Sequence, residues 1–143
     1  MKQPWEVAHN YLGVPYAHLG RSHNGLDCVG LLAVVLQDCG LAVQDCRTYG
    51  TEPSDANNSY HLLEYMQRNF GAPVRRGVRI NDVIVLRLAP HLAPGHVAIV
   101  APHPHGMGII HTRRRTGKVV YHRLEPRRWR LIHEVYPWPK HSA

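Results

Sequence analysis

Gly25-Leu26-Asp27-Cys28-Val29-Gly30-Leu31-Leu32 places a cysteine in what reads as the opening turn of a helix. Asp27 suits the cap, because its short carboxylate can accept hydrogen bonds from the next backbone amides. Val29, Leu31, Leu32, Val35 and Leu36 continue as an apolar helical face, and Gly40 supplies the stop. A thiol at a helix start meets free N–H groups and partial positive charge, both of which favour the thiolate. The stretch therefore predicts a buried helix that presents Cys28 as an activated nucleophile.

Upstream, a first helix is expected from about Pro4 to Leu12, with Trp5, Ala8, Tyr11 and Leu12 at helical spacing and Gly13 as its end. Gly13-Val14-Pro15-Tyr16 turns the chain, and Ala17 to Leu26 reads as a glycine-containing loop that delivers it to Cys28. Downstream, a polar loop from about Gln44 to Ser59 precedes a short third helix. Asn58 or Ser59 is the expected cap, Leu62, Leu63, Met66 and Phe70 the apolar stripe, and Gly71-Ala72-Pro73 the end. From Val83 the pattern becomes extended. Val83–Leu88, His96–Ala101, Gly108–Thr112, Lys118–His122 and Leu131–Tyr136 are predicted strands, separated by turns such as Pro102–Gly106 and Arg115–Gly117. Helices first and consecutive strands second predict an α+β fold, with N-terminal helices packed on a C-terminal antiparallel sheet.

The length of 143 residues suits one domain spanning 1–143. No apolar run approaches the roughly 20 residues needed to span a bilayer. The opening Met-Lys-Gln-Pro-Trp-Glu does not resemble a secretory signal, which predicts a chain that is cytoplasmic on synthesis. The net charge of +7 is concentrated after Arg75, with runs at Arg113-Arg114-Arg115 and Arg127-Arg128-Trp129-Arg130. No zinc-finger spacing, aromatic nucleic-acid motif or phosphate-cradling loop accompanies these runs, so they read as a solvated basic face rather than a nucleic-acid site. Three cysteines make no disulfide framework. On one helix Cys28 and Cys39 would lie roughly 16 Å apart, beyond the ~7 Å limit for bridging. A reduced protein is expected, with Cys39 and Cys46 able to pair only if the fold brings them together.

A cysteine nucleophile needs a base, and the base needs an orienting partner. His96 opens the strand His96-Val97-Ala98-Ile99-Val100, and His111 closes Ile109-Ile110-His111 after a hairpin turn. An antiparallel hairpin brings the start of one strand beside the end of the next, so the two share one end of the sheet. If that end faces the Cys28 helix, a Cys-His-His triad is assembled. The chain holds 12 histidines, and the others, His122 and His141 among them, belong to no comparable constellation. A zinc site ranks lower because only three ligands are evident and none completes a closed shell. No cofactor is expected.

Gly13-Val14-Pro15-Tyr16, Gly25-Leu26-Asp27-Cys28-Val29-Gly30-Leu31, Asn81-Asp82-Val83, Gly95-His96-Val97-Ala98-Ile99 and Ile109-Ile110-His111 resemble, in order, the motifs of the NlpC-type cell-wall peptidases. The resemblance implies a papain-like cysteine peptidase that cuts peptidoglycan stem peptides, typically between D-γ-glutamate and the following diamino acid. Cys28 then corresponds to the nucleophile, His96 to the general base and His111 to the orienting residue. Tyr16 corresponds to the tyrosine that helps the oxyanion site, and Asp27 to the acid that receives the free amine of the stem peptide. Val29 stands where many members have serine, and Leu19-Gly20 replaces a common Gly-Gly, which points to a different substrate pocket. The form of the cysteine motif is most similar to the phage-encoded, tail-associated branch, implying phage tail proteins as partners and action at the cell wall. Two alternatives stay open: an amidase or acyltransferase with the same triad, and a structural tail component that uses the fold as an interaction module. Oligomeric state is not read from the sequence.

Overall fold

The structure is a computed structural model and describes residues 2–52 and 55–140. His141 lies outside the described residues. The chain opens with α1 (Pro4–His9), where Pro4 occupies the first turn and Gln3 and Glu6 form a capping box. Regular helix ends three residues earlier than the apolar spacing predicts. Tyr11 and Leu12 instead bond to the carbonyls three residues back, a tighter turn that still buries Tyr11 and leads to Gly13 at φ +86°.

The segment expected to be loop contains a two-residue hairpin, β1 (Arg21–Ser22) and β2 (Gly25–Leu26). It feeds directly into α2 (Cys28–Asp38), whose cap is Asp27 and whose end is followed by Gly40 at φ +81°. Every residue from Val29 to Leu36 is buried. This helix is hydrophobic all round and forms the centre of the core, each fully buried Val or Leu contributing about 1.5–3 kcal/mol.

The third helix is longer than expected: α3 (Ala56–Phe70) is the longest in the described chain. Its cap is Asp55, which accepts from the amides of Asn57 and Asn58, so Asn58 and Ser59 lie inside the first turn. Both later residues are good caps by type, but Asp55 satisfies the orphan amides one turn earlier. Leu62, Met66 and Phe70 are buried as the stripe predicts, joined by Tyr65, while Leu63 is only partly buried.

All five expected strands form: β3 (Val83–Arg87), β4 (Pro94–His103), β5 (Gly106–His111), β6 (Val120–Arg123) and, after the short α4 (Pro126–Trp129), β7 (Ile132–Tyr136). They make one antiparallel sheet in the order β6-β5-β4-β3-β7, so the α+β class holds. Val85, Val97, Ile99 and Ile110 pack toward the helices. Their alternates Ile84, Ala98, Val100 and Ile109 meet Leu124 and Val135 in a second apolar cluster. Both faces are covered, which is why β3 and β4 read as nearly unbroken apolar runs. Asn81, at φ +76°, pins α1 to this sheet: its Oδ1 accepts from the Trp5 amide and its Nδ2 donates to Gln3. No helix among the described residues is long and apolar enough to cross a membrane.

Candidate active site

The loop before α2 is clamped against the helix at Gly30. A Cβ there would lie 2.0 Å from the Gly20 carbonyl oxygen, far inside any real contact. Only glycine lets the loop backbone come this close. Leu19, next to it, sits at φ +64°, a conformation that suits glycine better, at the place where the sequence departs from Gly-Gly.

Asp27 is buried, and its carboxylate is filled from within the chain. Oδ1 accepts from the Gly30 amide at 2.7 Å and from Arg21 at 3.1 Å, and Oδ2 accepts from the Leu19 amide at 2.8 Å and from the Tyr49 hydroxyl. Roughly four acceptor positions are all a carboxylate offers. The capping role is therefore established, and a substrate amine would have to displace Tyr49 or Arg21 to reach it. Arg21 also grips Asp45, the Cys46 carbonyl and Tyr49, tying the long loop after α2 to the nucleophile's helix. Sequence reading missed Arg21 and Tyr49, because nothing local marks a pair 28 residues apart.

Cys28 is partly exposed, and all three cysteines are free. Its sulfur is approached by the backbone amides of Val29 and of Val97, the residue after His96. These amides and Arg21 favour the thiolate, as a helix start should. They are outweighed by burial and then by the adjacent Asp27 carboxylate, which together push the thiol up to about 12. The helix start is real, but burial and the Asp27 carboxylate act on the thiol in the opposite direction. Tyr16 stands in the same neighbourhood, its phenol raised by burial, Asp27 and Cys28.

His96 and His111 meet at the strand ends, Nε2 to Nδ1 at 2.7 Å, both buried. They lie at the end of the sheet, beside a bulge between Leu86 and Arg87. The chain of rings continues. His111 Nε2 lies 2.8 Å from His122 Nε2, and His122 Nδ1 lies 2.8 Å from the Arg123 carbonyl. His122, passed over in the sequence, is therefore part of the site. The β5–β6 register, with Ile109 opposite His122, places it there.

The Arg123 carbonyl can only accept, so His122 carries its proton on Nδ1. With neutral rings, His122 Nε2 then accepts from His111 Nε2–H, and His111 Nδ1 accepts from His96 Nε2–H. Nδ1 of His96 is left with its lone pair, the requirement for a base. Neutrality follows from the surroundings. Burial, then His111 and nearby arginines, hold His96 well below the usual histidine range, and burial, then His122, holds His111 at about 3. The ring nitrogens are spent on one another, and no group of three or more His, Cys, Asp or Glu among the described residues is arranged to hold a metal ion.

Structure thus brings Cys28, Tyr16 and Asp27 together, and separately His96, His111 and His122. The Val97 amide on Cys28 joins the two groups.

No protein-family model matches the chain, and no curated protein matches it. Among solved structures it is similar to an NlpC/P60 family protein from Bacillus cereus ATCC 10987, with a TM-score of 0.67 and 19% identity over 95% of this chain and 39% of that one. It is similar to the NlpC/p60 domain of the peptidoglycan hydrolase SagA, with a TM-score of 0.59 and 20% identity over 93% and 94% of the two chains. It is also similar to the peptidoglycan hydrolase RipB from Mycobacterium tuberculosis, with a TM-score of 0.62 and 19% identity over 96% and 64%. The chain spans about two fifths of the Bacillus cereus protein and under two thirds of RipB. The shared fold is that of the NlpC/P60 proteins.

Proposed function

We propose that the protein is a papain-like cysteine peptidase of the NlpC/P60 type that hydrolyses peptidoglycan stem peptides, at the bond between D-γ-glutamate and a diamino acid. The observation that carries this reading is the His96–His111 pair at 2.7 Å, on the strand whose next amide, that of Val97, reaches the Cys28 sulfur. The fold likeness to two peptidoglycan hydrolases supports the substrate class.

On this reading the Cys28 S–H proton passes to His96 Nδ1 as sulfur attacks the carbonyl carbon. A neutral thiol and a neutral imidazole at rest make that transfer part of the attack rather than a step completed beforehand. The Cys28 amide, an orphan donor at the helix start, and the Tyr16 hydroxyl stabilise the oxyanion. The C–N bond breaks as His96 returns its proton to the departing amine, leaving a thioester. Water, deprotonated by His96, then releases the acid and restores the thiol. His111 holds the ring of His96 in the required tautomer.

Hydrolysis of purified peptidoglycan, and of a γ-D-glutamyl-diamino acid peptide, is lost in Cys28→Ala. Undiminished turnover by that variant would sink the proposal. The phage-tail placement rests on the form of the Gly25–Leu31 motif. It predicts that the chain co-purifies with tail particles.

A further inference from the structure

His96, His111 and His122 line a cavity of about 860 Å³ that Cys28, Tyr16 and Asp27 do not line. Its wall is largely arginine: Arg87, Arg113, Arg115, Arg127, Arg128 and Arg130. No aspartate or glutamate lines it. We propose that this cavity is an effector site for a small multivalent oxyanion, one with two or more phosphate or carboxylate groups, which acts on the histidine relay without being substrate. Binding stands on the cavity itself, and only its effect on turnover rests on the peptidase reading.

The cavity holds more positive charge than the chain balances. Glu125 is the acid at hand; it serves Arg127 at 2.9 Å and lies 3.9 Å from Arg128, beyond hydrogen-bond reach. Among the described residues, Arg113, Arg115 and Arg130 form no ion pair. The Nε of Arg128 is buried without a hydrogen-bond partner. Burial, then Arg128 and Arg115, hold the Arg113 guanidinium below its ordinary range, so these cations press on one another. Like charges gathered in a concavity cost stability and focus a positive potential, and guanidinium forks match phosphate and carboxylate oxygens. The volume falls in the range of small-ligand pockets, about 300–1,000 Å³, and suits a small anion rather than a nucleic-acid duplex.

The relay is placed to sense the occupant. After burial, His111, Arg113, Arg128 and His122 lower His96, and His122, Arg128 and Arg113 lower His111. Glu125 is the one carboxylate coupled to the rings, through His122. An anion seated among the arginines cancels part of their field, so the rings gain basicity and His96 becomes a stronger base. Replacing Arg113 by a neutral residue should imitate that occupant.

Calorimetry with pyrophosphate and, separately, tricarballylate tests the site on the full chain, and the preferred anion tells phosphate from carboxylate. Saturable binding is expected, equal in wild type and Cys28→Ala and weakened roughly tenfold or more by Arg113→Gln or Arg128→Gln. The exposed Arg115→Gln serves should either of those fail to fold. Ring-nitrogen NMR reads the relay without any turnover. A saturating amount of the preferred anion should raise the pH at which the three rings take up protons, by on the order of one unit. Arg113→Gln should show the raised value with no anion added and respond little to it. In the hydrolysis assay the acid limb of the kcat profile should move up by a like amount, with KM unchanged. No saturable binding, binding indifferent to the arginine variants, ring titrations that ignore the anion, or inhibition competitive with substrate would each overturn the inference. So would a short DNA duplex bound as tightly and weakened by the same variants, which would mark a general basic surface. Absence of hydrolysis under every condition would instead overturn the peptidase reading, and calorimetry and ring titration would still decide the site.

Discussion

His111 Nε2 and His122 Nε2 lie 2.8 Å apart, and the carbonyl of Arg123 fixes which of the two carries the proton between them. His122 touches neither thiol nor substrate in this scheme and acts as a positioning residue. Its replacement by alanine lets His111 present either tautomer to His96. We expect kcat to fall roughly tenfold or more with little change in KM. The pH profile of kcat should shift as well, which a merely structural loss would not produce. Unchanged kcat and an unchanged profile would remove His122 from the relay.

The thiol pushed up to about 12 makes a kinetic prediction. In a Cys39→Ser, Cys46→Ser background, alkylation of Cys28 by iodoacetamide should climb steadily from neutral to alkaline pH. A plateau reached already in acid would show a preformed thiolate–imidazolium pair and contradict the neutral resting state.

Stability should depend on pH through the same histidines. His111 is held at about 3 and His96 well below 6.5, so the unfolded chain, with values near 6.5, binds more protons in mild acid. Stability is whole above about 6.5 and falls as pH drops toward the folded values, by up to about 1.4 kcal/mol per pH unit for each histidine. Urea unfolding followed between about pH 7.5 and 5 measures it. A flat profile there would mean that these rings charge freely in the folded state.

Arg21→Ala leaves the buried Asp27 carboxylate without its cation and frees the loop held through Asp45, Cys46 and Tyr49. Removing one partner of a buried ion pair costs about 3–5 kcal/mol. Chemical denaturation should report a loss in that range, with activity falling alongside as the start of α2 loosens. A loss below about 1 kcal/mol would mark the pair as no stronger than a surface one.

Gly30→Ala tests the clamp between loop and helix. Alanine favours a helix by about 1 kcal/mol over glycine, but its Cβ would meet the Gly20 carbonyl at 2.0 Å. Backbone, not a flexible side chain, must move, and a net destabilisation of roughly 2–3 kcal/mol is expected. A variant as stable as wild type would show that the loop can withdraw from α2 without cost.

Some of this site is written in contiguous residues. Asp27 caps α2 because its carboxylate reaches an amide three residues on. The five strands follow from runs of apolar residues between turns, and His96 meets His111 because one hairpin joins their strands. The two misplaced helix ends, after His9 and before Ala56, are also local, but there a tighter turn and an earlier cap compete with the apolar spacing. Tertiary structure alone decided the rest. His122 enters the relay through sheet register, Asp27 is saturated by Arg21 and Tyr49 from separate segments, and six arginines from β3 to the segment before β7 converge on one cavity. Above all, Asp27-Cys28 by itself argues for a stabilised thiolate at a helix start, whereas in the folded protein burial and the Asp27 carboxylate push the thiol upward. Dipole and cap are properties of a few neighbouring residues; desolvation is set by everything the fold packs around them.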